Sequence, residues 1–429
     1  MSPQLLPLLP DRTPGNAVLM YYLARQTMPH VQDLKQFQEK AELIEEYIAM
    51  SLPELPQQEV SALLDNYSTM LQQIQIGAMR DDADWGLPLS EGWKISLPPV
   101  VNFRAMAKVL VLKARLEIAQ GQFDKAIRTL QVGFAVGRHL GKANSLLASL
   151  VGCSINYLML ERVRELIQHG GPNMYWALAG LKQPLIDLSM AVRYEREFVM
   201  MSYPAFRKMM TRPISQAESD ELLRALTELQ SLMRWSADNT SWVETLSQPD
   251  QYYGIAKESM IQRGHDPATV EAMPVGQVVT IYIWKDFVRW RDEMIKWFDL
   301  PYPQAREGLN RTTQQFEDWL KTNDRHNPML KSLPDGRSYF LQTRIDRLKA
   351  ALQTIEAIRA HAAVHGVLPR ALNELELPAQ LDPITGNAFE YSIEGDTFNL
   401  IGRPPQGESA DNGIHYEVRV VMPARPPAD

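Results

Sequence analysis

The sequence predicts a mostly α protein: an irregular stack of antiparallel helices, followed by a small α+β module with two or three antiparallel strands. Three observations carry this. Apolar residues recur at three- and four-residue spacing through most of the first 365 residues. A pattern suited to a tight helical hairpin, Ala114, Gly121, Phe123, Ala126 and Leu130, lies within that region. Beyond residue 365 the apolar period changes from helical to two.

The chain opens MSPQLLPLLP, which has no basic leader and is broken by Pro3, Pro7 and Pro10, so as written it is not a signal peptide. Residues 34–50 carry Leu43, Ile44, Tyr47 and Ile48 between charged positions, and 57–79 carry Val60, Leu63, Leu64, Tyr67, Leu71 and Ile74 at helical spacing. Both read as amphipathic helices, paired as a hairpin across Pro53 and Pro56. A polar break, RDDADWGLPLSEGWKISLPP, precedes a helix from about Asn102 with Phe103, Ala107, Leu110, Ala114 and Ile118 on one face. In the following hairpin, small Ala114 and Ala126 permit close helix contact, Gly121 turns the chain and Phe123 plugs the seam.

Between Lys142 and Glu161 lie uncharged residues at the lower edge of a spanning length. Their Asn and Ser content favours a buried helix over a membrane span, with Ala148 and Gly152 admitting a close neighbour. Further helices are predicted at 174–200, 217–236, 267–298 and 304–321. Ser215 with Glu218 forms a capping box, and Asp266–Pro267 an N-cap and first helical position. The turn-rich stretch 237–266 is the expected hinge, and 322–338 a second break. The last helix, 338–365, places Leu341, Ile345, Leu348, Leu352, Ile355 and Ile358 in a buried stripe, with Gly366 at its C-cap. Phe389, Tyr391 and Ile393, then Phe398 and Leu400, form a hairpin across Gly395, and Tyr416, Val418, Val420 and Met422 a third strand. The expected organisation is a helical array over 1–330, a helix-plus-sheet module over 338–422 and a disordered tail at 423–429.

Composition narrows the function classes. Hydrophobic residues are 45% and charged residues 22%, which excludes a wholly disordered chain. The net charge of −7 argues against a nucleic-acid partner, which needs clustered cations. The single cysteine, Cys153, excludes an intrachain disulfide and a Cys-based zinc site; in its apolar helix it reads as inert.

Five constellations are weighed for chemistry. His361 and His365 share a helix face as a metal pair would, but without an evident third ligand they read as an ordinary helix end. Asp81, Asp82 and Asp84 beside Trp85 resemble a cation or sugar site, yet no closing carboxylate follows until Glu91, so a solvated turn anchored by Trp85 is expected. RYEREF at 193–198 reads as a surface ion-pair ladder, with Arg193 four residues from Glu197; Glu195 and Glu197 are the weaker carboxylate candidates. Trp284, Trp290 and Trp297, interleaved with basic residues, suit either base stacking or a wide apolar helix face, and the acidic balance favours the latter. Met200–Met201 and Met209–Met210 read as adaptable core. No glycine-rich phosphate loop, dinucleotide fingerprint or G-x-S-x-G elbow occurs, so no catalytic, cofactor or metal residues are assigned.

The stretch KARLEIAQGQFDKAIRTL resembles a single tetratricopeptide repeat, though the aromatic residues of its first helix are missing and the period does not recur. AMRDDADWG at 78–86, WALAGLKQPLIDL at 176–188 and EAIRAHAAVHGVLPRALNELELPAQLDPITGNAFEYSI at 356–393 resemble a family of bacterial helical proteins without an assigned activity. That likeness implies export, hence a periplasmic or secreted location if a leader precedes Met1 and a cytoplasmic one otherwise. The last stretch is also similar to the carboxy-terminal part of major pseudopilins, on Leu368, Pro369, Leu372, Asp382, Pro383, Gly386 and Tyr391. In both, Asp382–Pro383 opens a type I turn and Gly386 takes positive φ. The expected function is a non-enzymatic interaction or scaffold protein, whose helical surface meets a protein or peptide partner. A hydrolase using Asp81, Asp82, Asp84 and Glu195 is the alternative, and an accessory component of a secretion or envelope assembly the third reading.

Overall fold

A computed structural model describes residues 3–29, 34–87, 100–202, 208–210, 212–232, 248–322, 336–406 and 408–421. The chain is mostly α and ends in a three-stranded antiparallel sheet, as the periodicity predicts. It divides into two compact units: Met1–Gly86 with Leu97–Ala191 and Tyr339–Asp429, and Leu87–Ser96 with Val192–Ser338.

In the first unit a short parallel pair, β1 (Thr13–Asn16) and β2 (Arg80–Asp82), ties the start of the chain to the segment after α4. Its strands are polar and three or four residues long, too short for any periodicity to announce them. Helix α1 (Ala17–Gln26) starts at Asn16, whose side chain accepts from Val18 N. Helix α2 (Leu34–Ala49) is closed by a distant residue. Buried Arg115 donates to the carbonyls of Tyr47, Ile48 (2.8 Å) and Met50 (2.6 Å), groups a helix C-terminus leaves unpaired. The expected helix over 57–79 is two, α3 (Gln57–Asp65) and α4 (Ser68–Ala78). Asn66 separates them because its amide donates to the Ala62 and Leu63 carbonyls (3.1 and 3.3 Å) and competes with helix propagation.

Helices α5 (Val100–Ala119), α6 (Phe123–Gly141) and α7 (Leu146–Gln168) form the centre of this unit. The α5–α6 turn has Gly121 at φ +68°, and Ala114, Ala126 and Leu130 are fully buried. Phe123 is half-buried. By length and hydropathy α7 is apolar enough to cross a membrane, and about half of its apolar window is buried inside the protein. Gly133 and Gly137 on α6 let α7 approach, and Gly141 admits Ile186: a Cβ on Gly152 would stand 2.6 Å from the Gly137 carbonyl oxygen.

The expected helix over 174–200 is also broken, into α8 (Tyr175–Ala179) and α9 (Leu188–Ser202). The intervening N–H groups find acceptors elsewhere. Leu185 N donates to Asp346 and Leu188 N to Gln342, both at 3.0 Å.

In the second unit, α10 (Gln216–Leu232) begins with the expected capping box: Ser215 N donates to Glu218 Oε2 at 2.8 Å, and Glu218 N to Ser215 Oγ at 3.3 Å. The described part of the expected hinge holds a regular helix, α11 (Pro249–Gln262). Asp266 caps α12 (Pro267–Glu271) through Thr269 N at 2.9 Å. The long helix expected from 267 stops there, since Pro274 restarts the chain as α13 (Val275–Ile295). Helix α14 (Tyr302–Thr322) follows. Gln277, fully buried, joins the core to the chain before α10 by donating to the Met209 and Arg212 carbonyls and accepting from Ile214 N.

Helix α15 (Gly336–His365) leads back to the first unit, and Gly366 closes it at φ +68°. The sheet β3 (Glu390–Glu394), β4 (Thr397–Gly402), β5 (Ile414–Arg419) pairs Ile393 with Phe398 and Phe398 with Val418. Phe398 and Leu400 point inward and are fully buried. Gly386 takes the expected positive φ, +75°, but the 382–386 turn closes one residue wider than a type I turn, since Gly386 N donates to Asp382 O at 2.7 Å, four residues back. In this division residues 339–429 group with 1–86 and 97–191, and 192–338 with 87–96. The expected tail at 423–429 lies outside the described residues, as does 323–335 of the break expected over 322–338, whose ends, Thr322 and 336–338, are helical.

Candidate interaction surface

The acidic turn spends its carboxylates on the protein itself. Asp81 Oδ1 accepts from Gly15 N at 3.0 Å, Asp84 Oδ1 from Gly86 N at 2.9 Å, and Asp82 pairs with Lys142 at 3.4 Å. A backbone N–H bond, aided by Lys142, holds the Asp82 carboxyl below its ordinary pKa, so it is an anion, not a proton donor. Glu91 lies outside the described residues. Beneath the turn Trp85 is buried as expected, its Nε1 donating to the His139 carbonyl at 2.8 Å. His139 is enclosed beside Tyr21, whose hydroxyl lies 2.6 Å from Nδ1, while Arg138 Nη2 stands 3.3 Å from Nε2. A guanidinium only donates, so Nε2 accepts and the proton sits on Nδ1. Burial first, then the charges of Arg138, Lys142 and Arg12, depress the His139 pKa to about 3.

Glu195 and Glu197 are exposed on α9, in the other unit. Arg193 pairs with Asp299 rather than with Glu197, whose own partner is Arg196 at 3.9 Å. His361 and His365 stack with ring centroids 4.3 Å apart, and His365 Nε2 lies 3.4 Å from Glu376. Among the described residues no three His, Cys, Asp or Glu side chains are grouped to hold a metal ion.

Trp284 and Trp290 are buried and Trp297 covers Gly308, with its Nε1 bonded to Thr312 at 3.0 Å, so none of these rings is free to stack on a base. Met209 is core; the side chains of Met200 and Met201 lie outside the described residues. Cys153 is buried, and desolvation followed by the charge of Asp346 pushes its thiol up to about 12. Leu341, expected in the buried stripe of α15, is 41% exposed. Polar residues take buried places on that helix instead: Gln342, Asp346, Arg347, Lys349 and Glu356. Glu356 accepts from Met174 N, Thr354 from Gln380 N at 3.0 Å, and Arg347 donates to Asp382, Arg403 O and Asn412 O at 2.6–2.7 Å. These contacts organise the first unit.

The exposed face left without a role in the fold belongs to α1 and α4. These helices pack closely, with Tyr21 seated over Gly77, where a Cβ would come within 2.7 Å of the ring. Their solvent side shows Leu19 (61% exposed), Tyr22, Leu23 and Ile76. Arg25 is the one charged residue in the two helices; the other exposed polar residues, Gln26, Ser68, Thr69, Gln72 and Gln75, are uncharged. The signal was present in the sequence as the charge-poor stretches 16–24 and 66–79, but periodicity alone assigns such residues to a core. No protein-family model, curated protein or solved structure matches the chain.

Proposed function

We propose that the chain is a non-enzymatic interaction protein that presents the α1–α4 face to a protein or peptide partner. The observation that carries this reading is the pairing of exposed Leu19, Tyr22, Leu23 and Ile76 with a near absence of charge on both helices. Interface centres have this composition: Asp, Glu and Lys are depleted, while Tyr, Met and Arg are enriched. Tyr22, half-buried Met20 and Arg25 supply all three enriched types. Exposed Gln72 and Gln75 suit a partner that offers hydrogen-bonding groups, as a polypeptide does and hydrocarbon does not. A hydrolytic reading through Asp81, Asp82, Asp84 and Glu195 has no comparable support, because those groups are exposed and the aspartates are engaged in the fold.

Affinity capture from the source cells with the full chain, against a Leu19→Glu/Leu23→Glu variant, tests the proposal. Both side chains are solvent-facing, so the variant keeps its fold. A discrete partner retained by the wild type and lost at least tenfold by the variant is the expected result. Identical capture by both removes α1 from the interface.

A further inference from the structure

Two histidines near the end of α15 stand as a pair. His361 and His365 are one helical turn apart, so both rings leave the same face of the helix. Their ring centroids are 4.3 Å apart and their planes are tilted by 39°. Two metal–imidazole bonds of about 2.0–2.1 Å each span at most about 4 Å, so one ion can touch a nitrogen of both rings after a small side-chain rotation. His361 is half-buried and His365 exposed, so an ion reaches the pair without opening the core.

The fold does not use up these nitrogens. Among the described residues His361 has no hydrogen-bond partner, and its Nδ1 is enclosed without one. An enclosed polar atom left unpaired is uncommon in proteins and points to a ligand or water beside it. His365 has one polar neighbour, Glu376 Oε1, 3.4 Å from its Nε2. The chain beyond Gly366 brings this carboxylate to the pair, which sequence spacing alone does not show. A carboxylate at one imidazole nitrogen is the usual support of a metal-bound histidine: it fixes the ring and leaves the other nitrogen, here Nδ1, for the ion. Two protonated rings at this separation would repel and offer no lone pair, whereas neutral rings hold lone pairs that a cation takes up. Three ligating side chains are not grouped here, so the protein supplies two imidazoles and water fills the remaining positions. Imidazole suits zinc, nickel and copper, while magnesium and calcium take oxygen ligands.

We propose that His361 and His365 chelate one divalent transition-metal ion, with Glu376 positioning the His365 ring. The bound ion joins two successive turns at the end of α15. The site shares no residue with the α1–α4 docking face and does not depend on it.

Isothermal titration of the EDTA-stripped full chain with zinc chloride, in a background of excess magnesium, tests this. Saturable binding of one zinc ion at the pair is expected. It is weakened at least tenfold in His361→Gln and in His365→Gln, at least twofold in Glu376→Gln, and not at all in His415→Gln, a control on exposed β5. His365→Gln is the decisive variant, because its side chain is exposed; an unchanged melting curve in EDTA shows that its fold is intact. No saturable zinc binding in the presence of magnesium, equal binding by wild type and His365→Gln, or an equal loss in His415→Gln overturns the proposal.

Discussion

Asp346 sits where α15 meets the loop before α9, accepting from Leu185 N inside the protein. Burial raises its pKa to about 7, against the opposing effects of the Leu185 bond and the Lys349 charge. The folded chain therefore holds a proton there between about pH 4 and 7 that the unfolded chain has lost. The associated stability is complete below the ordinary carboxyl pKa and is lost as pH rises through the folded value, with a slope of at most about 1.4 kcal/mol per pH unit. His139 works in the opposite direction, since its depressed pKa costs stability as pH falls from about 6.5. The comparison that isolates Asp346 is with Asp346→Asn, which keeps an acceptor for Leu185. In denaturant titrations the wild type should lose stability relative to the variant between pH 4 and 7, and a constant difference would contradict the assignment. Arg347 gives a second test at this scale. Its pairing with Asp382 is fully enclosed, whereas Arg419 pairs with Asp396 at the surface. Arg347→Ala should cost about 3–5 kcal/mol, because it strands a buried carboxylate, and Arg419→Ala under about 1 kcal/mol, both read from urea unfolding. These buried polar residues were not legible in the sequence. A helix buried on every side has no polar face, and Asp346, Arg347 and Glu356 look like a solvated stripe until their tertiary partners are known.

At the scale of elements, the α6–α7 contact depends on glycine. A Cβ on Gly152 meets both the Gly137 carbonyl and Ile186, at 2.6 and 2.7 Å. Gly254 in α11 has nothing within 4 Å of the same position. Gly152→Ala should therefore lower the unfolding free energy by about 1–3 kcal/mol through overpacking, while Gly254→Ala should raise it by up to about 1 kcal/mol through helix propensity. Urea unfolding of the two variants should give opposite signs; the same sign in both would contradict the packing account. Element type was largely legible, and so were the local devices that need only neighbours in sequence: the Ser215–Glu218 box, the Asp266 cap, and the positive φ of Gly366 and Gly386. Breaks within helices were not. Asn66 and Pro274 signal only that a helix could stop, and the loop before α9 is held by Gln342 and Asp346, more than 150 residues away.

Two of the boundaries between the units fall inside helices, at 191/192 in α9 and at 338/339 in α15. No change in composition or run of turn residues marks a boundary inside a helix. Side chains on α15 tie it into the first unit: they bond to residues 171–188 on one hand and to 380–412 on the other. The candidate surface followed a similar course. Tyr22, Leu23 and Ile76 are apolar residues that the sequence does not single out, and they are exposed where α1 packs on α4. A photo-crosslinking amino acid placed at Leu19, Tyr22 or Ile76 in the source cells is the most direct measurement of the interaction claim, with exposed Glu258 on α11 as the control position. The account predicts the same discrete protein adduct from all three positions and none from Glu258. Adducts absent at all three, or identical to those at Glu258, would contradict it.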